Sequence, residues 1–285
     1  MNSSGTHFHP ITTEDGSLSL YSEEYGQAMH TVSGAYEEAL FKHVRASGVL
    51  NLDRREIHVL DVGFGIGYNV LALMEEFCRN PMGRTLEIVT LEKDPAPAVL
   101  LNGIGFDGDR GMLYEKIKRI PETGLLMEKA GSVLLLPGDA RVSVRKLRAS
   151  RFHAIFHDPY SPAKNPELWS VDFFRELYRT ADAGCVLTTY SGALQVRSGL
   201  MEAGFTVGKA PSLGRKREGT LAAKGPLAEP LGADELARLR RDPKATPYRD
   251  ETLAAGRGAG PFLTQLSRAT IRRPNRMASA SSTAK

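Results

Sequence analysis

The chain has 285 residues, a mass of 31.1 kDa and a net charge of +4, with 41% hydrophobic and 25% charged residues. That is ordinary for a soluble globular protein of one large domain, or one domain with an appendage, and a sizeable core. No apolar run approaches the roughly 20 residues of a membrane span, and MNSSGTHFHP lacks the pattern of a signal peptide, so no membrane partner and a cytoplasmic location are expected.

In chain order, residues 7–33 mix polar and aromatic residues around Asp15-Gly16, a turn dipeptide that predicts short flanking strands. SGAYEEALFKHVRASGVL then spaces Ala35, Leu40, Phe41 and Val44 as a helix, with Ser33 at its cap and Gly48 near its end. Residues 7–56 are thus expected to form a strand and helix segment ahead of the main domain. From residue 57 to 210 the chain alternates. IHVLDVG, LEIVTLEKD, SVLLLPGDA, FHAIFHD and GCVLTTYS read as strands; YNVLALMEEFCRN, ETGLLMEKA, VSVRKLRA, VDFFRELYRTA and ALQVRSGLMEAG read as helices. The alternation implies an α/β fold, a mostly parallel sheet with helices on both faces. GTLAAKG is expected to add a last antiparallel strand against FTVGKA.

The main domain is expected over residues 57–263, and a disordered tail over 264–285, where apolar content is low. Cys78 and Cys185 have no metal spacing and read as small core residues of a reducing compartment. No metal is expected. From Lys209 onward 16 Lys and Arg face 7 Asp and Glu, a basic end that suits phosphate contacts or simply a solvated tail.

Candidate site residues cluster where strands end. Gly63, Gly65 and Gly67 sit between a strand and a helix, in a GxGxG pattern that differs from the dinucleotide GxGxxG. Alone, the pattern fits a structural turn as well as a site. Asp61 precedes it; Glu92 ends the second strand, placed for ribose hydroxyls or for pairing with Lys93; Asp139 is placed for an adenine amino group, for a helix cap, or both. Asp158 ends the fourth strand run and opens DPYSPAKNPELWS, a loop stiffened by Pro159, Pro162 and Pro166. Ligands bind beyond the carboxyl ends of such strands. Asp158 and Tyr160 serve either as loop caps and anchors or as the reacting edge.

The order of acids and the Asp158-Pro159-Tyr160 loop resemble the class I S-adenosylmethionine-dependent methyltransferases, whose fold is Rossmann-like. The longer DPYSPAKNPELWS segment, with TEDGSLSLYSEEYGQAMHTVSGAYEE, GFGIGYN, GRKREGTLAA and TPYRD in the same order, resembles the methyltransferase part of the tRNA modification protein MnmC over about residues 10–250. The resemblance implies methyl transfer from S-adenosylmethionine to the 5-aminomethyl group of a wobble uridine in tRNA, often 2-thiolated. It also implies that Asp158 is the catalytic carboxylate, the three glycines line the methionine end of the donor, Glu92 the ribose and Asp139 the adenine. Tyr21, Ser22 and His30 would cover the donor, although His30 also reads as a satisfied histidine.

Lys164 and Asn165 would hold the loop or touch RNA, Tyr160 would pack against a planar base or the substrate's carbon atoms, and Trp169 would anchor the loop from beneath. Arg215, Lys216 and Arg217 would contact the anticodon stem-loop, or else form a charged turn before an edge strand. The chain departs from bifunctional relatives in having no room for a flavin-dependent oxidase, so no flavin is expected, and a separate enzyme would supply the amine. Three rivals stay open: another amine N-methyltransferase, an aminopropyltransferase, and an RNA-binding module without turnover.

Overall fold

The structure, a computed structural model, describes residues 8–12, 18–29, 34–96, 98–212 and 218–255. Strands β1 (Phe8–Thr12), β2 (Leu18–Ser22) and β3 (Gln27–Ala28) pair antiparallel in that order, and the first two flank the Asp15-Gly16 dipeptide. Next comes one helical run: α1 (Ala35–Glu38) passes directly into a π-helical stretch, Ala39–Arg45. Its cap position is Gly34, at φ 65°; the expected cap, Ser33, lies outside the described residues.

Among the described residues, eight strands form the main sheet: β4 (Glu56–Val62), β5 (Thr85–Glu92), β6 (Leu125–Glu128), β7 (Gly131–Pro137), β8 (Phe152–His157), β9 (Ala181–Thr189), β10 (Thr206–Lys209) and β11 (Thr220–Ala223). Their order is β10-β11-β9-β8-β4-β5-β7-β6. The five strands β7, β5, β4, β8 and β9 run parallel. Both edges are antiparallel: β10 on β11 and β11 on β9 at one side, β6 on β7 at the other.

Helices α2 (Tyr68–Arg79), α3 (Gly108–Ile117), α4 (Ile120–Thr123), α5 (Ala140–Lys146), α6 (Val171–Thr180), α7 (Leu194–Glu202) and α8 (Ala233–Arg241) complete the framework. A strand buried on both faces needs apolar side chains in both directions. In β4, Ile57 and Val59 enter a core shared with α2, α3 and the amino-terminal segment, while Leu60 and Val62 enter a second core shared with α5, α6 and α7.

The expected last strand is present, with Thr206 opposite Ala223 and Lys209 opposite Thr220. The opposite edge corrects the reading of ETGLLMEKA as a helix. There Gly124, at φ 70°, ends the one-turn helix α4, and Leu125–Glu128 pairs back on β7 with alternating exposure. Of the two cysteines, Cys185 is buried in β9 as expected, but Cys78 is exposed on α2. Among the described residues, no helix is long and apolar enough to cross a membrane. The carboxyl ends of β4, β5, β7 and β8 fall on one edge of the sheet, which fixes where Asp61, Glu92, Asp139 and Asp158 gather.

Candidate active site

The loop leaving β4 must pass close under the loop leaving β8. At Gly63, φ is 100° and a Cβ would stand 2.7 Å from the carbonyl oxygen of Asp158, so only glycine fits. Gly65 donates its N–H to Glu92 Oε2 at 3.0 Å. Gly67 faces elsewhere. It caps α2 at φ 84°, and a Cβ there would meet Ile117 Cγ2 at 2.7 Å and the Phe64 ring at 3.0 Å. Two of the three glycines therefore line a cavity of about 380 Å³, and the third packs α2 against α3.

That cavity lies beyond the strand ends and is walled by Glu92, Asp139, Arg141, Asp158 and Tyr160. Its volume falls within the roughly 300–1,000 Å³ of small-molecule sites. Glu92 accepts from the backbone of Gly65 and, at 3.2 Å, of Asp94. Burial raises its carboxyl above the usual range, against those hydrogen bonds. Lys93 does not pair with it; the ammonium reaches Glu24 at 2.7 Å.

Asp139 caps α5, accepting from the Arg141 N–H at 2.9 Å. Burial would raise its carboxyl, but the Arg141 guanidinium outweighs that and holds it below the ordinary value. Arg141 in turn reaches Asp250 Oδ2 at 2.7 Å and the Ala255 carbonyl at 2.9 Å, tying the end of the described chain to the cavity wall.

Asp61 sits behind that wall. Its carboxylate accepts from Thr90 Oγ1 at 2.7 Å and Asn69 Nδ2 at 3.2 Å. Burial pushes its pKa up to about 7, and the nearby Asp158 charge adds to the rise. The same Asn69 amide donates to Asp158 Oδ2 at 3.1 Å, so one side chain bridges the two acids. His43 Nε2 lies 3.7 Å from the same Asp158 oxygen, and its Nδ1 is 2.8 Å from Thr188 Oγ1.

The Asp-Pro-Tyr loop is pinned at each step. The Asp158 N–H donates to Val62 O, the Tyr190 hydroxyl to Pro159 O, and the fully buried Trp169 Nε1 to Tyr160 O, all at 2.8–2.9 Å. Tyr160 stacks on Tyr25 with centroids 4.0 Å apart, and Ser161 Oγ donates to Gln27 Oε1 at 2.7 Å, joining the loop to the small sheet. Behind the loop lies a second cavity of about 310 Å³. It shares Met29, Asn69, Asp158, Pro159 and Tyr160 with the first.

Residues 113–225 match a protein family described as S-adenosyl-L-methionine-dependent methyltransferase. The crystal structure of MNMC2 from Aquifex aeolicus matches the fold with a TM-score of 0.78 at 33% identity, covering 90% of this chain and 83% of that one. This chain belongs to the MnmC methyltransferase family. A bifunctional MnmC for tRNA 5-methylaminomethyl-2-thiouridine biosynthesis from Ralstonia nicotianae is 33% identical over 252 residues, 84% of this chain and 37% of that protein. An uncharacterized protein of Methanocaldococcus jannaschii is 32% identical over 265 residues, 86% of this chain and 68% of its own length. The chain thus spans little more than a third of that bifunctional MnmC. Its fold is the class I S-adenosylmethionine-dependent methyltransferase fold, as the sequence led one to expect.

The MnmC-family framework brings Gly63, Gly65, Glu92, Asp139, Asp158 and Tyr160 to one cavity. The acids and the uncluttered glycine backbone fit a ligand with hydroxyl and amino donors. Asp61 and Gly67 stand outside the cavity wall. So do Tyr21 and Ser22: Tyr21 is on β2 opposite His9 and Ala28, and buried Ser22 accepts from the Tyr25 N–H at 3.4 Å. Among the described amino-terminal residues, Glu24, Tyr25 and Met29 line it. Lys164 is exposed, with its ammonium beside Gly26. His30, Arg215, Lys216 and Arg217 lie outside the described residues. Sequence reasoning missed Asn69, Arg141 and His43. Only Asn69 left a signal, as a polar residue in the first turn of an apolar helix.

Proposed function

We propose that this chain transfers a methyl group from S-adenosylmethionine to the nitrogen of a 5-aminomethyl group on the wobble uridine of tRNA, giving 5-methylaminomethyluridine. The observation that carries the proposal is the meeting of two cavities at Asp158, one suited to the donor and one to the acceptor. Family membership supports the choice of acceptor, since a relative's name specifies tRNA 5-methylaminomethyl-2-thiouridine biosynthesis.

Glu92 would hold the ribose hydroxyls, Asp139 with Arg141 the adenine end, and Gly63 and Gly65 the methionine end. Bound S-adenosylmethionine supplies a methyl group on a sulfonium, which becomes a neutral thioether as the methyl leaves. An aliphatic amine is mostly protonated at neutral pH and has no lone pair to offer. Asp158 therefore takes a proton from the ammonium before transfer, then accepts a hydrogen bond from the neutral amine and aims its lone pair across the shared wall; the methylated nitrogen gains the positive charge that the sulfonium loses. Asn69 fixes the carboxylate, and Tyr160 walls the site with an aromatic face.

The wobble base lies in a single-stranded loop, from which it can be turned out at small cost. Arg215, Lys216 and Arg217, with Lys164, are the proposed phosphate contacts, and the cytoplasm the proposed location. A separate reaction must install the aminomethyl group. The test is incubation of the protein with S-adenosylmethionine and tRNA lacking this modification, followed by mass spectrometry of nucleosides. Conversion of 5-aminomethyl to 5-methylaminomethyl nucleosides is expected; donor binding without conversion would move the activity to another amine.

A further inference from the structure

The second cavity is walled on one side by a single face of the helical run, bearing Glu38, Lys42 and His43. Two charges on that face have no part in the chemistry above. Lys42 Nζ lies 2.8 Å from Glu38 Oε1, and the side chains are only 8% and 15% exposed. A nearly buried ion pair contributes little net stability, because desolvation offsets the attraction. The pair also spans the passage into a π-helical turn, a distortion that concentrates at functional sites. Across the cavity stand Gln27, Pro159, Tyr160 and Tyr190, which carry no formal charge.

Resting on the tRNA reading above, we infer that Lys42 and Glu38 read the edge of the acceptor ring as uracil. Lys42 donates to O4 and Glu38 accepts from N3–H, while the aminomethyl group on C5 reaches Asp158. The order of the two side chains selects the base. His43, which abuts the Asp158 carboxylate, directly follows Lys42, whereas Glu38 stands a turn further along the helix. Along the helix from His43, the wall therefore offers a donor and then an acceptor.

Moving away from C5, uracil offers an acceptor at O4 and then a donor at N3. Cytosine reverses both, with an amino donor at C4 and a bare N3. In the same seat it would leave the ammonium facing an amino group and the carboxylate facing a lone pair. Sites built on such buried polar partners reject the mismatched ligand strongly. Sulfur at C2 leaves O4 and N3–H in place, so 2-thiolation does not alter the edge being read.

The test uses anticodon stem-loop RNAs carrying either 5-aminomethyluridine or 5-aminomethylcytidine at the wobble position. Methyl transfer is followed for the wild type, Glu38→Gln, Lys42→Met and the exchanged pair Glu38→Lys/Lys42→Glu. Each single variant should raise KM for the uridine RNA roughly 10- to 100-fold, with unchanged S-adenosylmethionine affinity. A single variant that strands its partner's charge melts lower, so KM is measured below its transition, and the exchanged pair keeps both charges matched. The exchanged variant should shift preference toward the cytidine RNA. Folded variants that keep the wild-type KM and base preference would overturn the inference alone. Donor binding by the wild type with no transfer to either RNA would overturn the functional reading, and this inference with it.

Discussion

At the level of single residues, Glu92, a proposed ligand contact, and Gly67, a packing position, predict opposite responses to substitution. The Glu92 carboxylate spends part of its hydrogen-bonding capacity on two backbone amides and turns the rest into the first cavity. Replacing it with Gln keeps the shape but removes the charge that two ribose hydroxyls would share. Titration calorimetry should show S-adenosylmethionine binding weakened by about 10- to 100-fold, with turnover at saturating donor nearly unchanged. Gly67 predicts the opposite pattern. Alanine there must adopt φ 84° and press on Ile117 and Phe64, so Gly67→Ala should lower unfolding free energy by about 1–3 kcal/mol in urea titrations. Its donor affinity, measured below the transition, should stay near wild type. The GxGxG pattern shows a crossing turn in the sequence, but not that its third glycine answers to a helix 50 residues further on.

At the level of elements, the site depends on joints between segments far apart in the chain. Arg141 on α5 joins Asp139 to Asp250, whose side chain is wholly buried. Removing the guanidinium strands a buried carboxylate, and Arg141→Met should cost about 3–5 kcal/mol by chemical denaturation; a cost near zero would mean that Asp250 finds water instead. Such joints explain what the sequence could and could not reveal. The parallel strands are legible because each is a short apolar run buried on both faces, and the acids are legible because each follows such a run. Arg141 with Asp250 and Asn69 with Asp158 are not, since their partners stand 109 and 89 residues apart. The edge strand β6 misleads for another reason: only alternate residues of Leu125–Glu128 are even half-buried, so its four residues carry too little pattern to oppose helical spacing. Helix α3 leaves almost no apolar stripe, with only Tyr114 and Ile117 buried.

Across the whole molecule, two buried groups set opposed responses to acid. His157 is fully buried among Trp169, Phe173 and Phe174, and burial depresses its pKa from 6.5 to about 3. Below pH 6.5 the unfolded chain binds a proton there that the native chain refuses, so this contribution is present above pH 6.5 and lost as pH falls toward 3. Asp61 is raised from 3.8 to about 7, so its contribution is full below 3.8 and lost as pH rises through 7. Between these limits the two slopes cancel. His157→Phe removes one of them, and its stability should gain on wild type by about 1.4 kcal/mol per pH unit from pH 6 down to 5 in urea titrations. Parallel pH profiles would show that His157 is not held neutral.

The main sheet, strands β1–β3 and the pinned loop together hold one carboxylate where two cavities meet, and its proposed part in the transfer is open to a direct measurement. For Asp158→Asn, kcat for methyl transfer to tRNA and the Kd for S-adenosylmethionine are determined on the same preparation. The account predicts a fall in kcat of about 10²- to 10⁴-fold with Kd within a few-fold of wild type. Unchanged kcat, or a loss explained entirely by donor affinity, would contradict it.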